Sequence, residues 1–242
     1  MDTVAHIRPL ARALLAEYLG SALLAAVVIG SGIAAARLSP GDLGLELLEN
    51  AAATAAGLYA LILIFGPVSG AHLNPVVSLA DATFGGIAWR TAAAYIPAQL
   101  AGCVSGAILA NGMFAISAAG ISTHHRASPA HLLGEVVATA GLILLIFALA
   151  RSRRATTTPA AVGAYIGAAY WFTSSTSFAN PAIAVGRIFS DTFAGIAPAS
   201  VPAFAIAELA GGALAVLALR ALYPDVTPAD AARVVLPHEA TG

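Results

Sequence analysis

The chain has 242 residues, 59% of them hydrophobic and 10% charged, with a mean hydropathy of +0.86. A soluble domain carries roughly 25% charged residues, so a water-solvated surface is excluded over much of this one and lipid must take its place. A net charge of −1 without a basic run excludes a nucleic-acid footprint, and the single cysteine, Cys103, excludes an internal disulfide framework or a Cys-rich metal site.

A membrane span needs about 20 mostly apolar residues. The first such stretch, 10–36, follows Arg8 and Arg12 as a signal peptide would, but Glu17 interrupts it and it outruns a signal peptide. It is predicted to be a retained span. Further spans are predicted at 45–65, 91–110, 131–150, 159–177 and 201–222. Two apolar segments that open with Asn-Pro, 74–84 and 180–193, are too short to cross and follow the second and fifth spans. With both termini inside, Arg8, Arg12, Arg90, Arg151, Arg153, Arg154, Arg220 and Arg233 are cytoplasmic, whereas Arg37, Arg126 and Arg187 face outward. All eleven cationic residues are Arg, which with the abundance of Ala points to a GC-rich bacterial genome and so to a bacterial inner membrane.

The sequence repeats itself. LLAEYLGSALL from Leu14 resembles LLGEVVATAGL from Leu132, matching Glu17 with Glu135. NPVVSLADATFGGIA from Asn74 resembles NPAIAVGRIFSDTFAGIA from Asn180, and AQLAGCVSGA from Ala98 resembles AELAGGALAV from Ala207. Each half, approximately 10–112 and 130–222 of a single 1–242 domain, holds three spans and one short segment. An odd number of spans forces the halves to insert in opposite orientations.

Asn is a strong N-cap and Pro suits the first helical turn, so each short segment reads as a loop entering the membrane and then a half-helix of roughly nine residues, about 14 Å long. Two of them end to end span close to the roughly 30 Å hydrocarbon thickness. Non-helical backbone at mid-membrane is tolerated where it lines a water-filled path, which implies a pore. Each helix N-terminus carries about +0.5 charge, so two facing N-termini repel cations while Asn74 and Asn180 offer amide N–H groups to passing oxygens.

SGAHLNPVVS and FANPA resemble the paired signature loops of the aquaporin (major intrinsic protein) family, supported by AEYLG in span one, GE in span four and ELAGGALA in span six. The resemblance implies an all-α membrane protein, an aquaporin-like six-span bundle with an inverted repeat and two re-entrant half-helices. Exclusion of protons by half-helix dipoles is a known property of such pores. It further implies a homotetramer in the lipid bilayer, each protomer with its own pore for neutral solutes, no enzyme activity, no cofactor and no metal. The signature positions fall on Asn74, Pro75, Val76, Asn180, Pro181 and Ala182. Glu17 and Glu135 read as acceptors for loop N–H groups rather than as proton-coupling acids, with Glu208 in the same scaffold. His72 reads as pore lining in preference to a packed core histidine. Cys103 reads as a core thiol, and His124, His125 and His131 as exposed loop residues.

The filter departs from the family. Most members carry Arg directly after the second Asn-Pro-Ala, where this chain has Ile183. Counting from the signature asparagines places the other filter positions at Thr54, Ala168 and Ser177. This pattern resembles a bacterial subgroup associated with arsenic-detoxification genes. It implies a wider, less polar constriction for trivalent arsenic hydroxide, methylated arsenicals, other metalloid acids, small polyols and water. Arg187, one turn beyond Ile183, has two readings: it leans back to line the pore, or it pairs with Asp191 at the surface. Two rival functions stand beside the channel, an ion-coupled secondary transporter and an adhesion protein with a closed pore.

Overall fold

A computed structural model describes residues 3–223, with side chains from Leu10 onward. The helices in chain order are α1 (Thr3–Leu38), α2 (Leu43–Ser69), α3 (Pro75–Phe84), α4 (Trp89–Met113), α5 (Pro129–Arg151), α6 (Thr158–Phe172), α7 (Pro181–Gly186) and α8 (Val201–Leu222). Five of them, α1, α2, α4, α5 and α8, are long and apolar enough to cross a membrane. The fifth predicted span, 159–177, is shorter than expected. Helix α6 stops at Phe172 after 15 residues because the chain turns extended at Thr173 and runs into the second loop. Arg233 lies outside the described residues.

The halves repeat each other in their packing. Helix α1 lies against α4 and α2, and α5 lies against α8 and α6, while α2 meets α6 across the junction. Small residues permit this closeness. A methyl group at Gly102 or Gly106 of α4 would collide with the α1 carbonyls of Tyr18 and Ala22. Gly163 of α6 meets the Ala55 carbonyl of α2 in the same way, and Gly211 of α8 meets that of Val136 in α5. The outward faces keep large apolar side chains exposed, among them Leu15, Leu23, Leu133, Trp171, Phe172, Ile206 and Leu217, as lipid requires.

The short helices behave as the Asn-Pro signals predict. Asn74 and Asn180 are extended N-caps with Pro at the first helical position. Helix α3 runs ten residues to the left-handed Gly85. Helix α7 runs six and continues as a tighter 3₁₀ turn, Arg187–Phe189.

Candidate functional site: a cavity between two asparagine loops

The loops that precede α3 and α7 are built alike. Ala71 and Leu73 adopt left-handed φ of 47° and 49°, and their counterparts Ser177 and Ala179 have 50° and 48°. Such conformations cost non-glycine residues of order 1 kcal/mol each, so the surroundings must impose them. Buried carboxylates do so. Glu17 accepts from the backbone N–H groups of His72 (2.9 Å) and Leu73 (2.7 Å), from the Ser69 hydroxyl (2.6 Å) and from Gln99 Nε2 (2.7 Å). Glu135 accepts from the N–H groups of Phe178 (2.9 Å) and Ala179 (2.7 Å), and Glu208 from that of Asn180 (2.9 Å). All three carboxylates are fully buried.

The asparagines then link the halves. Asn74 Oδ1 accepts from the Val76 N–H while its Nδ2 donates to the carbonyl of Ala179 at 2.7 Å. Asn180 Oδ1 accepts from Ala182 and Ile183 while its Nδ2 donates to the carbonyl of Leu73, also at 2.7 Å. An amide has two N–H donors, so each asparagine retains one beyond its cross-link. Behind them Val76, against Gly212 of α8, and Ala182 are buried.

Both asparagines line a cavity that runs between the helices of the two halves. Its walls are stripes with a four-residue spacing: Leu24 and Val28 of α1, Thr54, Leu58 and Ile62 of α2, Leu142 and Ile146 of α5, and Thr158, Val162, Ile166 and Tyr170 of α6. The loops add His72, Ser177 and Phe178, and the second half-helix adds Ile183 and Arg187. Most of the wall is apolar. Polar groups cluster where Tyr170 Oη meets Thr54 Oγ1 at 3.2 Å, with Ser177 and Arg187 also in the wall.

Of the filter positions counted from the sequence, Thr54, Ser177 and Ile183 line this cavity, and Ala168 does not. Ala168 is exposed on the other side of α6. It lies two residues from both Ile166 and Tyr170, about 200° around a helix from each, so it points away from the stripe they form. On that helix it is Tyr170 that lines the cavity. The i, i+4 stripe ending at Tyr170 was the available signal.

His72 borders the cavity, yet its ring is held from behind, with Nδ1 3.0 Å from Ser78 Oγ and Nε2 3.3 Å from the fully buried Asp81. Gln99 Nε2 donates to the same Ser78 hydroxyl at 3.0 Å, which joins His72 and Asp81 to Glu17 through one chain of contacts. Arg187 does not pair with Asp191. Asp191 instead accepts from the N–H (2.9 Å) and hydroxyl (3.1 Å) of Thr123 and sits 3.7 Å from His124 Nε2. Cys103 is a buried thiol, and no metal-ligand cluster occurs among the described residues.

Residues 5–178 match the family described as Major intrinsic protein. The chain belongs to the major intrinsic protein family. Aquaglyceroporin AqpS of Rhizobium meliloti (strain 1021) is 48% identical over 219 residues, 90% of this chain and 93% of that one. Aquaporin-9 of Homo sapiens is 34% identical over 165 residues, covering 60% of this chain and 55% of that one. The X-ray structure of the aquaglyceroporin from Plasmodium falciparum shares the fold, with a TM-score of 0.69 at 19% identity over 89% of this chain and 98% of that one. The protein is therefore a multi-pass membrane channel for small neutral solutes, and not an enzyme.

Proposed function

We propose that this channel passively conducts hydroxylated neutral solutes larger than water, namely metalloid hydroxides such as trivalent arsenic hydroxide, methylated arsenicals and small polyols, with water passing too. One observation carries the reading: Ile183, buried and apolar, lines the cavity where most family members have an arginine. An aliphatic side chain there leaves more room and demands no strong hydrogen-bond partner. Across the cavity the Thr54–Tyr170 hydroxyl pair and Ser177 offer oxygens to a solute hydroxyl, and the spare N–H groups of Asn74 and Asn180 serve it at the midpoint. The 48% identical relative named an aquaglyceroporin is in keeping with a pore for more than water.

The bonding of Glu17 and Glu135 speaks against ion coupling. Both oxygens of Glu17 and of Glu135 accept hydrogen bonds from the loops or their neighbours. Such groups fix backbone and are poorly placed to exchange protons with a solute. The single domain with two inverted halves, both termini cytoplasmic in a bacterial inner membrane, and a homotetramer complete the proposal. The excess of arginine on the inner side supports the orientation, and the exposed apolar faces leave room for neighbouring protomers or lipid.

Purified protein in liposomes tests it. Glycerol and arsenic trihydroxide should equilibrate down their gradients at rates indifferent to a pH gradient or membrane voltage. Flux driven by a proton gradient would establish the transporter, and absence of flux for every solute would leave the closed-pore alternative.

A further inference from the structure

Arg187 is 3% exposed and lies in the cavity wall, so its charge has been moved out of bulk water and needs an account. No Asp or Glu lies within ion-pair distance of it among the described residues. Its Nε donates to the carbonyl of Ala194, and its guanidinium carbon stands 3.4 Å from the centroid of the Phe178 ring. The two terminal nitrogens make no hydrogen bond to protein among the described residues. A buried guanidinium stabilised by one carbonyl and a π face, with free donors beside a cavity, is arranged to meet something in that cavity.

A second arginine supports the arrangement. Arg126, in the segment between the halves, has its guanidinium carbon 5.6 Å from the centroid of the same ring. It donates from Nε to the Gly195 carbonyl (2.7 Å) and from Nη2 to the Phe193 carbonyl (2.9 Å), while its own N–H reaches Ser200 Oγ (3.0 Å). Phe193, Ala194 and Gly195 thus present consecutive carbonyls to two arginines, and both arginines share Phe178, whose other neighbour is Phe204 in an edge contact at 5.1 Å.

From this geometry we infer that Arg187 is the channel's cation-rejecting and solute-orienting charge, displaced by one turn from the position that Ile183 occupies, and that Arg126 is a positioning residue which fixes Phe178 and the 193–195 turn beneath it. The inference rests on the channel reading above and adds the source of its selectivity. A filter built this way separates two properties. Ile183 sets the width, and Arg187 sets the charge and supplies N–H donors to a passing hydroxyl. A cation meets a full positive charge before it reaches the asparagines, whereas a neutral hydroxylated solute meets donors and an open apolar wall.

The test uses full-length protein in liposomes with three readouts: water permeability, the glycerol-to-water permeability ratio, and proton and sodium leak. Arg187→Ala is expected to raise cation leak roughly tenfold, the attenuation that one unit charge about 10 Å away provides at an effective dielectric constant of about 20. Arg187→Lys should restore most of the rejection, since it restores charge. Arg126→Lys keeps a charge but loses the planar stack and fork, and should shift the glycerol-to-water ratio with a smaller rise in leak. Should Arg187→Ala fail to insert, Arg187→Gln, which keeps an N–H for the Ala194 carbonyl, carries the same expectation. Wild-type leak and a wild-type ratio in an inserted Arg187→Ala or Arg187→Gln channel would overturn the inference. Failure of the solute proposal looks different: the wild-type protein would pass water alone, while leak in the Arg187 variants would still be readable.

Discussion

The two halves of this channel share a scaffold and differ in charge. In each, a buried glutamate holds two consecutive loop N–H groups, the residues one and three places before the asparagine turn left-handed, and the asparagine reaches across to the opposite loop. Beyond the asparagines the likeness ends. Seven residues after Asn74 the first half-helix carries Asp81, fully buried against His72. Seven residues after Asn180 the chain carries Arg187, just past α7, which faces the cavity. The symmetric residues therefore build the two loops alike, and the asymmetric ones give the two ends of the cavity different charge. The comparison predicts which substitutions disable both halves equally and which affect one alone.

The shared scaffold should give the largest effects. Glu135→Ala strands the N–H groups of Phe178 and Ala179 in a buried site and is expected to cost about 3–5 kcal/mol, seen as loss of folded protein after detergent extraction. Glu17→Ala should cost at least as much, because Glu17 accepts four hydrogen bonds. If one half tolerated this loss and the other did not, the equivalence of the two loops would be broken.

Asn180→Ala removes a helix cap and the bond to the Leu73 carbonyl together, for a loss of about 2 kcal/mol, and Asn74→Ala should match it. Thermal unfolding in detergent measures both. Ile183→Arg acts on the second half alone. It narrows the cavity beside a guanidinium already present, so glycerol and arsenic trihydroxide flux should fall several-fold while water falls less. Equal slowing of every solute would show that Ile183 does not set the width.

Much of this was legible in the sequence. The paired Asn-Pro segments, the repeated Glu17 and Glu135, and the six apolar stretches fix the bundle because each answers to a local rule of capping, burial or span length. The filter was less legible. A count from Asn180 assumes that the intervening backbone has a fixed shape, but α6 ends at Phe172 and the segment to Ala179 is extended with left-handed turns. That change of path turns Ala168 outward and brings Tyr170 to the cavity. Arg126 was missed for a related reason. A loop residue 52 positions from Phe178 in sequence has no periodic signal tying it to that ring, and only the fold brings the two together.

A smaller effect belongs to the exposed loops. The backbone N–H of Thr123, with its hydroxyl and the nearby His124, holds the Asp191 carboxyl below its ordinary range. A depressed folded-state value stabilises the contact above the unfolded carboxyl range, near pH 4, and the contact is lost as pH falls through the folded value. Protection of the Thr123 amide against hydrogen exchange should therefore hold at neutral pH and drop in acid, and Asp191→Asn should remove that dependence. Unchanged acid sensitivity in the variant would assign it to another group.

The smallest expected effect tests the comparison most directly. Gln99 and Glu208 hold corresponding places in α4 and α8, both fully buried. Gln99 donates its amide to Glu17 and to Ser78. Glu208 accepts the Asn180 N–H with one oxygen, and its other oxygen has no donor among the described residues. Glu208→Gln should therefore be nearly neutral, within about 0.5 kcal/mol, because a glutamine oxygen accepts the same N–H and its amide supplies a donor as Gln99 does for Glu17. The reverse change, Gln99→Glu, takes a donor from Glu17 and sets a second carboxylate beside it, at a cost of about 2–3 kcal/mol. Unfolding midpoints of the two variants, measured side by side in one detergent, should separate clearly. Equal destabilisation would mean that Glu208 is tuned to its own half, and that the scaffold is less symmetric than its hydrogen bonds indicate.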